Sequence, residues 1–201
     1  MTNDTTTRDL LVAAAAGEFE RVKQLAQAGA DLNALDDGET LLDRAVAVLT
    51  LPDPVPAFAA DMLRLLLQLG ADPNRPGDEG MTALHTAMLA RNVELMRILL
   101  ESGAEPNGMP GSSPGETLYD WAEFDYRYST WDEPFGLQGS LMPPDAPSAA
   151  DKASEDAWLL YLDRCAVKHG ARRPDYLFLL RDFGARKAME LGKTDSRFRL
   201  K

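Results

Sequence analysis

The sequence predicts an all-α repeat solenoid, and three observations carry that prediction. Gly29-Ala30-Asp31-Leu32-Asn33 recurs as Gly70-Ala71-Asp72-Pro73-Asn74 and again as Gly103-Ala104-Glu105-Pro106-Asn107. A second signature follows each copy in fixed register: Gly38-Glu39-Thr40 with Ala45, Gly80-Met81-Thr82 with Ala87, and Gly115-Glu116-Thr117 with Ala122. Between the signatures run Leu-rich amphipathic segments, Phe19 to Ala28, Met62 to Leu69 and Val93 to Glu101, with apolar residues at helical spacing. Self-similarity at a fixed period marks an architecture in which each unit buries its apolar face against its neighbours.

Each part of the repeat has a physical reason. Thr40, Thr82 and Thr117 stand where a helix starts, and a threonine oxygen there accepts a bond from a free backbone N–H. Gly29, Gly70 and Gly103 follow the second helix of each unit, where a left-handed cap requires no Cβ. Ala45 and Ala87 allow close helix approach. The Asn that ends each Gly-Ala-x-x-Asn copy is suited to bonding turn backbone. The step from Gly70 to Gly103 is 33 residues, and Thr82-Ala83-Leu84-His85 resembles a Thr-Pro-Leu-His signature. On these residues the chain resembles the ankyrin-repeat family, well over 8–122 and loosely over 155–187. The resemblance implies helix-turn-helix units linked by β-hairpin-like loops, about four to five units including caps, in a single domain over 1–201. It gives His85 a bracing role.

Two units depart from the pattern. In the second, surplus sequence falls around Leu51-Pro52-Asp53-Pro54-Val55-Pro56, and prolines so dense cannot lie inside a helix. A rigid loop is expected there. In the fourth, the first helix runs from Thr117 to about Tyr126 and the second resumes near Glu155, leaving an insertion loop over 126–153. Seven of the chain's 15 aromatic residues lie between Tyr119 and Phe135. They serve either an interface or a cap folded back on the last repeat. Met142 to Ala150 reads as mobile. The N-terminus over 1–7 is expected to be flexible, and 172–201 to form a C-terminal cap, with a short helix over Pro174–Arg181, and a basic tail.

Composition narrows the function. The formal net charge is −11, and residues 1–163 hold 28 of the 32 acidic groups but 10 of the 21 basic ones. Such a body repels nucleic-acid phosphates and favours a basic protein partner. The basic cluster at the C-terminal end, Arg172, Arg173, Arg181, Arg186, Lys187, Arg197 and Arg199, is either a solvated cap or a contact to acids. No apolar run is long enough to span a membrane and no secretory pattern opens the chain, so a soluble cytoplasmic protein is expected, monomeric when alone. One cysteine, Cys165, excludes an internal disulfide or a cysteine-based zinc site. No cofactor or metal is expected. Gly108 to Gly115 holds three glycines but no Gly-Lys-Ser or Gly-Lys-Thr, so it reads as a hairpin loop and not as a phosphate cradle.

The family resemblance places partners in a concave groove formed by hairpin tips and first helices. Carried over by register, the tips are Asp36, Asp37 and Glu39; Asp78, Glu79 and Met81; and Ser113, Pro114 and Glu116. The first-helix positions are Ala47, Val48, Leu89, Ala90, Phe124 and Asp125. Tyr128 and Trp131 add an aromatic contact from the insertion. The reading is a protein-binding module, not an enzyme: a dedicated inhibitor or immunity-type protein that engages a basic partner through an acidic groove. A general adaptor is the alternative. An enzyme using Cys165 and His169, which share a helix face at i, i+4, is a further one, for which nothing marks an oxyanion hole.

Overall fold

The computed structural model describes residues 2–50, 55–108, 115–132 and 141–195. The chain divides into two compact units, Met1–Pro114 and Gly115–Lys201, where the repeat pattern alone reads as one domain. A solenoid packs each unit only on its neighbours, so periodicity carries no information on where contacts thin.

In the first unit, α1 (Thr2–Ala15) and α2 (Phe19–Gln27) precede a two-residue hairpin, β1 (Leu35–Asp36) and β2 (Glu39–Thr40). Then come α3 (Leu41–Thr50), α4 (Ala59–Gln68), α5 (Ala83–Leu89) and α6 (Val93–Glu101). First helices pack side by side, α1 on α3 and α3 on α5, and α4 packs on α6. Ala45 and Ala87 are fully buried at these crossings. Leu10, Val22, Val46, Met62, Leu63, Leu66, Leu84, Met88, Met96 and Leu99 fill the core, each contributing about 2 kcal/mol of burial. The N-terminal segment expected to be flexible is helical from Thr2, because Thr7 continues the buried face of Leu10, Ala13 and Ala14. The expected rigid loop lies largely outside the described residues, which resume at Val55.

Repeats are stitched by asparagine. The Asn33 side-chain N–H donates to the Gly70 carbonyl at 3.1 Å, and its oxygen accepts from the Asp72 N–H at 2.8 Å. Asn74 repeats the arrangement with the Gly103 carbonyl at 2.8 Å and the Glu105 N–H at 2.7 Å. Each amide thus satisfies one acceptor and one donor at the end of the next repeat's second helix.

In the second unit, α7 (Leu118–Arg127) runs directly into a π-helical turn, Tyr128–Asp132. Next come α8 (Glu155–His169), α9 (Asp175–Asp182) and α10 (Ala188–Asp195). Thr117 caps α7 in a box with Asp120. Gly170, with φ of 64°, ends α8 in the left-handed conformation. The insertion is structured where it is described. The Arg127 Nε–H donates to the Leu141 carbonyl at 2.7 Å and the Tyr161 hydroxyl to the Asp145 carbonyl at 2.6 Å. Ser148 and Asp151 cap each other. The stretch read as mobile is therefore tied to α7 and α8 through polar contacts that hydropathy does not register.

Asn74→Ala is expected to lower unfolding stability by about 1–3 kcal/mol, since it leaves a carbonyl and an N–H without their partner. Urea denaturation followed by circular dichroism measures it.

Candidate functional site

The groove of the first unit is built from its hairpin upward. Asp37 and Gly38 form the two-residue turn between β1 and β2, with φ of 55° and 81°. Both being positive, this is the turn that Asp-Gly favours. The next tip stacks on it: the Asp78 N–H donates to the Gly38 carbonyl at 2.8 Å, and the Gly77 N–H to the Met81 carbonyl at 2.8 Å. A Cβ on Gly77 would stand 2.6 Å from the Gly38 oxygen, so only glycine allows this approach.

Behind the tips lies a groove of about 530 Å³ lined by Asp37, Glu39, Asp43, Asp78, Glu79, Met81 and Leu89, with Ala47 and Thr86. Seven of the sequence-predicted positions, Asp37, Glu39, Ala47, Asp78, Glu79, Met81 and Leu89, thus come together here, and Leu89 is 51% exposed. Asp36 does not join them. Its carboxylate accepts from Arg44 at 2.7 Å, which draws it away from the lining and neutralises it.

Sequence reasoning missed Asp43. It stands three residues after Thr40, as His85 does after Thr82 and Asp120 after Thr117, and that shared register was the available signal. Asp43 is only 6% exposed, yet it reaches the groove lining. It accepts from the Thr40 hydroxyl at 3.0 Å and from the Thr86 hydroxyl of α5 at 3.2 Å. Burial pushes its pKa up to about 6, against the opposing pull of the two threonines. His85 is held neutral by burial, its pKa lowered to about 4, and its Nδ1 accepts from the Thr82 N–H at 3.2 Å. It braces its own helix start in the box position.

The second unit carries the remaining predicted residues. Phe124 and Tyr128 are 58% and 46% exposed and stack with ring centroids 6.2 Å apart and planes 8° from parallel. Glu116 is exposed and accepts from the Trp121 Nε1–H at 2.9 Å. Asp125 accepts from the Tyr176 hydroxyl at 3.0 Å. Trp131 overturns its expected role, being fully buried with its ring edge-on to His169. The π-helical turn rotates it inward, away from any partner. Ser113 and Pro114 lie outside the described residues.

The basic C-terminal residues are engaged inside this unit. Lys187 pairs with Glu123 at 2.7 Å and with Glu155 at 2.8 Å. Arg181 pairs with Asp156 and Glu190, Arg173 with Asp163. Arg172 lies over the rings of Tyr126 and Tyr176. Arg197 and Arg199 fall outside the described residues.

Cys165 is buried, and that burial raises its pKa, the reverse of an activated nucleophile. His169 meets the Asp145 carboxylate at 3.0 Å through Nε2. Among the described residues no group of three or more His, Cys, Asp or Glu is arranged to hold a metal, and no helix is long and apolar enough to cross a membrane.

Asp43 makes a testable contribution to stability. Its folded pKa lies above the ordinary value of 3.8, so the folded state holds the proton more tightly than the unfolded one. The stability it contributes is full below pH about 4 and is lost as pH rises to about 6. From pH about 7 to about 4 the wild type is expected to gain on the order of 2–3 kcal/mol relative to Asp43→Asn. Urea titrations of both proteins across that range measure the difference, in which the His85 contribution cancels.

Residues 57–110 match a family model described as ankyrin repeats, in three copies. No curated protein matches the chain.

Proposed function

We propose, from the premise that this chain carries ankyrin repeats and is therefore a protein-binding module, that it is a dedicated inhibitor or immunity-type protein for a basic partner. The observation that carries the proposal is the groove of the first unit. It sets Asp37, Glu39, Asp78 and Glu79 on a stacked pair of backbone tips, beside half-buried Met81 and exposed Leu89. Among the described residues no Lys or Arg pairs with Asp37, Asp78 or Glu79, and Arg44 approaches Glu39 no nearer than 4.0 Å. Unpaired like charges around a concavity create a field that steers an oppositely charged partner and speeds its encounter. The apolar floor then supplies contact area that salt does not screen. Stacked Phe124 and Tyr128 offer the second unit's aromatic contact, of the residue types enriched in the cores of interfaces.

An inhibitor is distinguished from an adaptor by the number of ligands and the salt response. Affinity capture from host lysate, with mass spectrometry of the eluate, is expected to yield one basic protein, weakened by salt. The Asp78→Lys/Glu79→Lys double variant is expected to bind it at least about tenfold more weakly. Several weak partners, equally retained by the variant, would establish the adaptor reading instead.

A further inference from the structure

Resting on the reading of this groove as the site for a basic partner, we infer that it seats one arginine side chain of that partner, its guanidinium against the Asp43 carboxylate and its aliphatic stem on Ala47, Met81 and Leu89. The groove holds two kinds of acid. Asp37, Glu39, Asp78 and Glu79 stand at the rim, where charge acts at a distance and water screens it. Asp43 is buried to 6% exposure, fixed by the Thr40 and Thr86 hydroxyls, and still borders the open volume. It is an aimed acceptor, not a member of the solvated rim.

Asp43 also lacks a counter-charge. No Lys or Arg pairs with it among the described residues, and both of its hydrogen-bonding partners are neutral. The surrounding elements supply none. From β2 it faces Glu39, whose like charge opposes ionisation. On α5, Thr86 faces it while the His85 ring turns to Thr82. Arg8 of α1 lies by Asp36, Arg44 of α3 binds Asp36, and Asp61 and Arg64 of α4 pair with each other. Burying a carboxylate with no cation is costly, and a partner's cation arriving in the groove removes that cost.

The apolar wall selects the kind of cation. A guanidinium is planar and weakly hydrated, so it loses less on entering a half-apolar groove than an ammonium does. Its fork presents several N–H donors that can meet the carboxylate beside the bonds from Thr40 and Thr86.

The arrangement also fixes the sign of a pH response. Asp43 in the free protein ionises near pH 6, and a bound guanidinium favours the ionised form. Affinity therefore falls as pH drops through about 6.

The test uses the full chain and two labelled peptides, hexa-arginine and hexa-lysine, with fluorescence anisotropy at pH about 7.5 and about 5. Wild type is expected to bind hexa-arginine more tightly than hexa-lysine and to lose about fivefold or more of its arginine affinity at the lower pH. Asp43→Asn is expected to bind more weakly and to lose the pH dependence. Asp78→Asn/Glu79→Gln is expected to weaken both peptides alike and keep it. If neither peptide binds wild type, the basic-partner reading of the groove falls, and this inference with it. If both bind and the rim variant weakens them, but Asp43→Asn matches wild type, this inference alone falls. Should Asp43→Asn fail to fold, carbon-detected NMR of the wild-type Asp43 carboxyl decides. Its pKa is expected to drop by about one unit or more with hexa-arginine bound, and an unchanged value overturns the inference.

Discussion

A single side-chain amide holds consecutive repeats of the first unit in register. Asn33 and Asn74 each reach across to a helix-ending glycine carbonyl and to a backbone N–H two residues beyond it. Hydrophobic packing between helices is non-directional and tolerates sliding. The amide contacts do not, because a donor and an acceptor must both be met at fixed geometry. With the register set, the tips meet in turn: the Asp78 N–H finds the Gly38 carbonyl, and the groove takes its shape from that meeting.

The two units treat charge differently. In the second, acids and bases answer each other within the unit, through Lys187 with Glu123 and Glu155 and through Arg181 with Asp156 and Glu190. Lys187 and its two carboxylates are largely buried, so this network holds α7, α8 and α10 together and leaves little field outside. In the first unit Lys23 and Arg64 engage acids away from the groove, Arg44 binds Asp36 and reaches Glu39 only at 4.0 Å, and among the described residues no Lys or Arg pairs with Asp37, Asp78 or Glu79. The net charge of the chain thus has a location.

How much of this was legible depends on the period of each signal. Helix α6 follows its Leu pattern to the residue, Val93 to Glu101, because its face is amphipathic and Asn92 caps it. The tips were legible because Gly-x-Thr marks them. Asp36 was misplaced because hairpin register says which residues are near a tip but not which of them an arginine eight residues on will claim. Trp131 was misplaced because it was read as part of an insertion loop, whereas the chain continues past α7 in a π-helical turn that carries the ring inward. Asp43 was overlooked because a residue three after a helix-starting threonine ordinarily belongs to the cap, and its N–H does donate to Thr40; its carboxylate's second face becomes visible only when α5 brings Thr86 to it.

The close approach of Gly77 to the Gly38 carbonyl has an evolutionary consequence. The tips are joined main chain to main chain, through the Asp78 N–H and the Gly38 carbonyl. Asp78, Glu79 and Met81 can therefore drift freely under selection for a new target, while Gly77 and Gly38 cannot. Such a surface can change its side chains without altering the main-chain contacts that fold it.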